Sequence, residues 1–194
     1  MPVTSASADS IFANAQKAAK RGPPPVHLWN PPFCGDLDMR IARDGTWFYE
    51  GTPIGRPALV ALFASILRKD EDAYFLVTPV EKVGLVVEDV PFIAVDFERE
   101  GEGQAQNITF TTNIGDTAVA GPDHPLRVIR DEKTGEPTPY VLIRAALEAR
   151  IDRKSFYRLV DVGEIRLHDG VPWFGVRSGG QFFPIIPEAE LGED

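Results

Sequence analysis

The chain has 194 residues, of which 43% are hydrophobic and 25% are charged. These proportions are typical of a soluble globular protein and argue against wholesale disorder. The length fits one domain or two small ones. The formal net charge of −9 argues against a broad surface for duplex nucleic acid, because such a surface needs an excess of lysine and arginine.

The cysteine and histidine content excludes two further classes. The single cysteine, Cys34, cannot form an internal disulfide, and three scattered histidines give no zinc-ligand spacing. No apolar run approaches the roughly 18 residues that a membrane helix needs. The N-terminal segment also lacks the pattern of a secretory signal. We therefore expect a cytoplasmic protein with no metal site and no membrane partner, and no motif indicates a particular cofactor.

Residues 1–34 form the first predicted segment. Residues 5–21 predict a short amphipathic helix that begins at Ser5 or Ser7 and carries Ile11 and Ala15 on its apolar face. Five prolines follow between residues 23 and 32, which is typical of a stiff connector. Because the apolar stripe is thin, we expect this helix to dock on the rest of the protein.

Residues 35–100 form a predicted N-terminal α+β domain. Asp44-Gly45 lies between two alternating runs, at 39–42 and 46–49, and predicts a hairpin. A broad apolar face predicts a helix over residues 56–68. Strands are predicted at 74–78, 83–87 and 92–97. The polar stretch 98–106 is interpreted as the junction between the two halves.

Residues 101–194 form a predicted C-terminal α+β domain. A hairpin is expected from strands at 108–112 and 117–120, followed by a strand at 126–130. Apolar spacing predicts a helix over residues 138–151. The remaining predicted strands are at 156–160, 164–168, 172–176 and 181–186.

The two predicted domains have the same order of elements: a β-hairpin, one helix and an antiparallel meander. Residues 74–77 resemble residues 157–160, and residues 90–92 resemble residues 171–173, at spacings of 83 and 81 residues. We interpret this as an internal duplication. The alternative is a single α+β domain with coincidental local likeness.

No catalytic motif is present, so the candidate site depends on strand ends and on charge. Phosphate-binding loops, HExxH and CxxC are absent, and the catalytic residues are unknown. The stretch 140–160 is locally basic within an acidic protein, and its arginines suit phosphate or carboxylate. The alternative is a solvated helix face with local ion pairs. The candidate ligand-binding residues are Arg56, Thr78, Glu81, Lys82 and Asn113 at predicted loop ends, and Arg144, Arg153 and Tyr157 in the second half.

Several short blocks resemble a bacterial family known as DUF1285, a domain of unknown function. The blocks that carry the resemblance are residues 32–35 (PFCG), 44–47 (DGTW), 78–82 (TPVEK) and 87–92 (VEDVPF), and it extends from about residue 25 over nearly the whole chain. The resemblance implies a duplicated two-domain α+β protein whose C-terminal half is superficially like a pleckstrin-homology fold. It also implies a cleft between the domains for a nucleotide-like ligand in a signalling context. It supplies no catalytic residues.

Three functional hypotheses remain open. The first is a regulatory or sensor protein, more consistent with a non-enzyme, that binds a small anionic or nucleotide-like ligand in that cleft, with a role in signal transduction. The second is a protein–protein adaptor with Trp29, Trp47 and Phe48 as an exposed anchor and an acidic tail at 188–194. The third is a small hydrolase or transferase that uses Glu81 or Asp38 as a base.

Overall fold

The computed structural model describes residues 7–20 and 22–192. The chain divides into two compact units, Met1–Pro91 and Phe92–Asp194, and the predicted α+β class is confirmed. The division falls earlier than the predicted boundary at residue 100. The reason is that residues 92–100 form a strand that pairs only with strands of the second unit.

The first unit is a six-stranded sheet with two helices. Its elements are α1 (Ala8–Ala19), β1 (Phe33–Ile41), β2 (Trp47–Tyr49), β3 (Thr52–Pro53), α2 (Pro57–Ser65), β4 (Leu67–Asp70), β5 (Ala73–Val77) and β6 (Lys82–Val87). The strand order is β3-β2-β1-β6-β5-β4. The central pair, β1 and β6, is parallel, and every other neighbouring pair is antiparallel.

The second unit has a six-stranded sheet, a helix and a smaller sheet. Its elements are β7 (Phe92–Glu100), β8 (Asn107–Thr112), β9 (Thr117–Val119), β10 (Leu126–Arg130), β11 (Pro137–Arg144), β12 (Leu147–Ile151), α3 (Arg153–Val160), β13 (Glu164–His168), β14 (Val171–Ser178) and β15 (Gln181–Pro187). The larger sheet has the order β10-β11-β12-β7-β8-β9, with β12 parallel to β7. The smaller sheet is the antiparallel meander β13-β14-β15.

The two six-stranded sheets have the same topology when β1–β6 are matched to β7–β12. In each, a meander runs outward from the centre, the chain crosses to the opposite edge, and a second meander returns to pair in parallel with the first strand. This is consistent with the predicted internal duplication. The matching positions differ from those expected: Phe33 and Leu67, which begin β1 and β4, correspond to Phe92 and Leu126, each 59 residues later. The pleckstrin-homology likeness stays a prediction.

The helix predicted over residues 138–151 is wrong. This stretch is the hairpin of β11 and β12, which turns at Ala145 with a positive φ of 46°. Buried side chains alternate along β12, as Leu147, Ala149 and Ile151, whereas β11 buries Tyr140 as well as Val141 and Ile143. The alternation along β12 is typical of a strand, but Ile143, Leu147 and Ile151 are four residues apart and also fit a helical stripe when the stretch is read as one continuous element.

The strand predicted at 156–160 is also wrong, because these residues belong to helix α3. Asp152 is the N-cap residue, and its carboxylate accepts a hydrogen bond from the backbone N–H of Ser155 at 2.7 Å. Tyr157–Val160 is therefore helical whereas its proposed match, Tyr74–Val77, is a strand, so that local sequence match does not reflect structural equivalence.

The predicted junction at 98–106 is another correction. β7 continues to Glu100, and a short 3₁₀ turn at Gly103–Ala105 leads into β8, so this stretch is a hairpin connection within the second unit. Polar, glycine-bearing composition is common to linkers and to exposed hairpin turns, and it does not distinguish them.

The remaining elements agree closely with the sequence. The hairpins at Asp44-Gly45 and at residues 113–116 are present, and β10 has the predicted bounds. Ser7 caps α1, accepting a hydrogen bond from the backbone N–H of Ser10 at 3.3 Å, whereas Ser5 and Arg21 lie outside the described residues. The short strands β3 and β4 were not predicted; the residues of β4 were assigned to the end of α2 and the turn after it. Strand β1 begins at Phe33, six residues before the predicted start and within the predicted connector.

Each six-stranded sheet has a large aromatic residue buried in its core. Trp47 is 1% exposed and stacks on Phe63 in the first unit, and Phe110 is fully buried beside Phe97 in the second. The expectation that Trp47 forms an exposed anchor for a partner is therefore wrong. The first turn of the acidic tail folds back within its own unit, where Glu190 pairs with Arg130.

Candidate functional site

Two of the predicted ligand-binding residues, Arg153 and Tyr157, line an open groove beside the N-terminus of α3, with a volume of about 450 Å³. It lies between the start of β11, the end of β12 and the first turns of the helix. We call it the α3 groove. Its lining residues are Glu136, Pro137, Thr138, Pro139, Arg150, Ile151, Asp152, Arg153, Phe156 and Tyr157.

The local sequence explains why these side chains meet. β12 ends at Ile151, and Asp152 caps α3 without an intervening loop, so Arg150 and the first helical turn lie next to each other. Arg153 and Tyr157 are four residues apart and share one face of α3. The Arg153 guanidinium carbon is 6.0 Å from the centre of the Tyr157 ring.

The charges of the groove are mostly engaged in weak contacts at its surface. Arg153 donates a hydrogen bond to Glu136 at 3.1 Å, and the two side chains are 73% and 63% exposed. The Asp152 carboxylate is used in capping the helix. The helix itself contains three cations and no acid. One of these, Arg158, hydrogen-bonds to Asp96 and thereby holds the pKa of that carboxyl below its ordinary value.

Arg144 and Asn113 lie in another corner of the second unit. Arg144 pairs with Asp116 at 3.1 Å, and its guanidinium carbon is 5.4 Å from the centre of the Phe92 ring. The side-chain oxygen of Asn113 accepts a hydrogen bond from the backbone N–H of Ile93 at 3.0 Å. Both residues hold the turn between β8 and β9 against neighbouring strands, and neither lines the α3 groove.

Thr78 and Glu81 form the connection between β5 and β6 and attach α1. The Thr78 hydroxyl oxygen accepts the backbone N–H of Glu81 at 3.2 Å. The Glu81 side chain is almost buried and accepts hydrogen bonds from Ser10 at 3.2 Å and from Asn14 at 2.6 Å. The predicted ligand contacts of Glu81 are thus replaced by contacts to the helix.

Lys82 belongs to a cluster of charges on the first sheet. Its ammonium donates to Asp70 at 2.6 Å and lies 3.9 Å from the centre of the Phe75 ring. Asp70 also accepts two hydrogen bonds from Arg68, at 2.7 and 2.8 Å. The Lys82 ammonium therefore makes contacts that stabilise the first sheet.

Arg56 lines a different groove, between α1 and α2, with a volume of about 690 Å³. The side chains of Phe12, Leu59 and Leu62 form much of its wall, and Lys20 lies at its edge. We call this the α1–α2 groove. It is predominantly apolar, unlike the α3 groove.

Of the candidates in the second unit, the structure therefore groups Arg153 with Tyr157 and separates both from Arg144 and Asn113. Sequence reasoning missed the contributions of Glu136 and Thr138 to the α3 groove. The sequence did contain one signal for this part of the groove, the two prolines that flank Thr138. Proline is confined to strand ends, edges and bulges, so these residues indicate the start of a strand.

Three other expectations concern a metal site, a membrane span and the candidate base Asp38. Within residues 7–20 and 22–192, no group of three or more histidine, cysteine or acidic side chains is arranged to hold a metal ion. None of the helices in these ranges has the length and hydropathy that crossing a bilayer would require. Asp38, the other candidate base, is exposed on β1.

The fold and the groove define a protein of two α+β units with repeated sheet topology. Family models for the N-terminal and C-terminal domains of DUF1285, both described as being of unknown function, match residues 24–90 and 91–185. The chain therefore belongs to the DUF1285 family, and the resemblance carried by its short sequence blocks is confirmed.

Two solved structures are similar to this chain. A DUF1285 family protein from Silicibacter pomeroyi DSS-3 is 62% identical, with 95% of this chain and 99% of that chain covered and a TM-score of 0.86. Another, from Shewanella baltica OS155, is 32% identical, with 64% and 91% covered and a TM-score of 0.52. No curated protein matches.

Proposed function

We propose that this chain is a cytoplasmic, non-enzymatic regulatory protein that binds a small anionic, nucleotide-like ligand in the α3 groove. Occupancy of the groove is then the signal that the protein transmits. The observation that carries the proposal is the convergence of Arg150, Arg153 and the exposed Tyr157 ring on one groove of about 450 Å³. This volume lies within the range of about 300–1,000 Å³ that small-molecule sites occupy.

The anionic part of the ligand is assigned to the arginines. An exposed ion pair contributes only about 0–1 kcal/mol, so a phosphate can replace Glu136 as the partner of Arg153 at little cost. A guanidinium offers phosphate two parallel N–H donors, which gives orientation as well as affinity.

The planar part of the ligand is assigned to Tyr157, whose side chain is 60% exposed. Stacking of a base on an aromatic ring contributes about 1–3 kcal/mol. Phe156 and Pro137 extend the apolar surface around this ring. Arg153 and Tyr157 are neighbours on one face of α3, so a ligand with an anionic group next to a planar ring suits this groove.

A non-enzymatic role is supported by the contacts of the acidic groups. In the α3 groove, Asp152 caps the helix. In the first unit, Glu81 accepts hydrogen bonds from α1. These carboxylates have structural partners, whereas a general base must lie within reach of a substrate proton.

The test is isothermal titration of the full chain with adenosine 5′-monophosphate. Arg153→Ala and Tyr157→Ala should each weaken binding about tenfold or more, since hydrogen bonds to charged groups contribute about 1.5–3 kcal/mol and stacking about 1–3 kcal/mol. Lys154→Ala is the matched control, because it removes a neighbouring cation of α3 that does not line the groove. Absence of binding, or an equal loss in the control, contradicts the proposal.

A titration with inorganic phosphate separates the two halves of the ligand. If the ligand is nucleotide-like, phosphate should bind more weakly than the nucleotide and should depend on Arg153 but not on Tyr157. Equal dependence on Tyr157 for both probes would contradict the assignment of the ring to a base.

A protein–protein adaptor is the second candidate, and the α1–α2 groove favours it. The groove has an apolar wall with Lys20 and Arg56 at its edge, a combination that suits an acidic amphipathic helix. Fluorescence anisotropy with a labelled acidic amphipathic peptide tests it. Leu62→Glu should abolish binding, and Leu28→Glu, at an exposed leucine that does not line the groove, should not.

A further inference from the structure

Strand β13 is an open edge of the smaller sheet. It pairs with β14 on one side, and β14 pairs in turn with β15. Within the part of the chain that the structure describes, no backbone hydrogen bond other than this pairing involves residues 164–168. An open edge presents unpaired N–H and C=O groups, which form a template for another strand.

The hairpin geometry identifies which backbone groups face outward. Asp169 and Gly170 both have positive φ and form a two-residue turn, so the closing pair of His168 and Val171 is a hydrogen-bonded pair. Hydrogen-bonded and non-hydrogen-bonded pairs alternate along an antiparallel ladder. The N–H and C=O groups of Ile165 and Leu167 therefore point away from β14.

An independent observation leads to the same assignment. Leu167 lies opposite Pro172, which has no N–H to donate. The two residues of a non-hydrogen-bonded pair form no ladder hydrogen bond with each other. Proline can therefore occupy this position without loss of a hydrogen bond to β13.

The same two residues expose aliphatic side chains. Ile165 is 47% exposed and Leu167 is 74% exposed, and both lie on one face of β13. Soluble proteins often protect edge strands with charge, and β13 has the charged residues Glu164 and Arg166 on its other face. Here the outward backbone groups and the exposed aliphatic side chains coincide, which is typical of a surface that pairs with a partner strand.

We propose that β13 pairs in antiparallel fashion with β13 of a second copy of this chain, about a two-fold axis at Ile165. Ile165 then lies opposite its own equivalent, and the two exchange both of their outward hydrogen bonds. Glu164 lies opposite the second copy's Arg166, and Arg166 lies opposite the second copy's Glu164. The symmetric interface thus contains two equivalent ion pairs, each between a glutamate and an arginine.

Charge complementarity selects this register. The outward groups of Ile165 and Leu167 also allow two-fold axes at Arg166 and at Leu167. The first places Arg166 opposite itself, and like charges directly opposite each other destabilise a strand pair. The second places Arg166 opposite His168 and gives it no acidic partner. Glu164 and Arg166 are both accessible, at 36% and 45% exposure. They lie 2.9 Å apart within one strand, and Glu164 also pairs with Arg177 at 3.3 Å.

Sedimentation equilibrium of the full chain tests the pairing. We expect a concentration-dependent mass that approaches twice 21.4 kDa. Leu167→Pro removes one outward N–H without removing a bond to β14, so this variant should fold and remain at 21.4 kDa. Arg40→Glu is the control for charge reversal, because it reverses an arginine of the first unit that is 39% exposed, against 45% for Arg166, and it should leave the dimer unchanged. Circular dichroism reports whether each variant is folded.

Charge reversal tests the register. Glu164→Arg alone and Arg166→Glu alone each place like charges opposite each other, so each should weaken its own dimer about tenfold or more. A mixture of the two variants restores both ion pairs and should form a heterodimer, which native mass spectrometry detects. A monomeric wild type at millimolar concentration overturns the proposal. So does a dimer that is insensitive to Leu167→Pro, or a mixture without a heterodimer preference.

Discussion

The Arg68 side chain links the proline-rich segment to the first sheet. Its guanidinium donates to the carbonyl oxygens of Val26 at 2.9 Å and Trp29 at 2.7 Å. The same group donates two hydrogen bonds to Asp70, at 2.7 and 2.8 Å. The Arg68 side chain is only 16% exposed. We therefore expect Arg68→Ala to release residues 22–32 from strand β4.

The magnitude follows from these four hydrogen bonds. Hydrogen bonds to charged groups contribute about 1.5–3 kcal/mol each, but water can replace part of the loss at a surface segment, and Asp70 keeps its bond from Lys82. We expect Arg68→Ala to lower the free energy of unfolding of the first unit by about 2–4 kcal/mol. Arg40→Ala removes an exposed ion pair with Glu88 and a contact of the guanidinium with the Phe48 ring, and it should cost clearly less than Arg68→Ala.

Native-state hydrogen exchange across a urea series measures both quantities. It resolves the two units separately, and it reports directly on the backbone N–H groups of Leu28 and Trp29, which close the short 3₁₀ turn of the segment. In Arg68→Ala these amides should exchange faster. Unchanged protection at these two amides, or a cost no larger than that of Arg40→Ala, would refute the reasoning.

The same cluster predicts a pH dependence. Hydrogen bonds from Arg68 and then from Lys82 hold the pKa of the Asp70 carboxyl below its ordinary value, although partial burial opposes them. The stabilisation is therefore complete above the unfolded pKa of about 3.9 and is lost as the pH falls through the folded pKa. The difference in stability between wild type and Arg68→Ala should narrow as the solution is acidified below about pH 4. A constant difference would contradict this origin.

Three further predictions concern the cores and helix α1. The Trp47 indole is buried against Phe63, and its N–H has no hydrogen-bond partner among the described residues. Trp47→Phe should therefore lower the free energy of unfolding in urea by about 1–2 kcal/mol and Trp47→Ala by about 3–5 kcal/mol. Equal losses for the two variants would contradict this packing. Gly175→Ala should destabilise the second unit strongly, since the added Cβ would lie 2.2 Å from a backbone carbonyl of β15. Gly55→Ala, where the Cβ meets open space, is the matched control and should be tolerated in thermal unfolding. Glu81→Ala should accelerate amide exchange throughout α1 while leaving the sheet protected, and slow exchange in α1 would show that its apolar contacts suffice.

Local signals were sufficient for the elements that have strong turns. Asp44-Gly45 and the turn at residues 113–116 lie between alternating runs, and both hairpins were predicted correctly. The N-cap Ser7 was likewise visible in the sequence. In each case the residues that determine the structure lie within a few positions of one another.

The prediction was wrong for residues 138–151, where pairing with strands that are distant in the sequence determines the conformation. β11 is an internal strand between β10 and β12, and its partners bury both Val141 and Ile143. Intrinsic preference is weak compared with such packing. At α3 the error had another cause, because the aromatic and aliphatic residues favour a strand and only the cap at Asp152 indicated a helix.

The candidate site was predicted in part. Arg153 and Tyr157 were selected for their chemistry, and the helix that brings them together was not foreseen. Thr78 and Glu81 were selected because polar residues at strand ends often bind ligands. Their hydrogen bonds go instead to their own turn and to α1, a long-range contact that no local pattern reveals.

The central claim is that the α3 groove binds a nucleotide-like anion, and an NMR titration of the full chain tests it most directly. Adenosine 5′-monophosphate should shift the backbone amide signals of Ile151, Arg153 and Tyr157 in a saturable manner, while signals of the α1–α2 groove, such as that of Leu62, stay in place. Saturable shifts centred on any other region, or no shifts at millimolar nucleotide, would contradict the assignment.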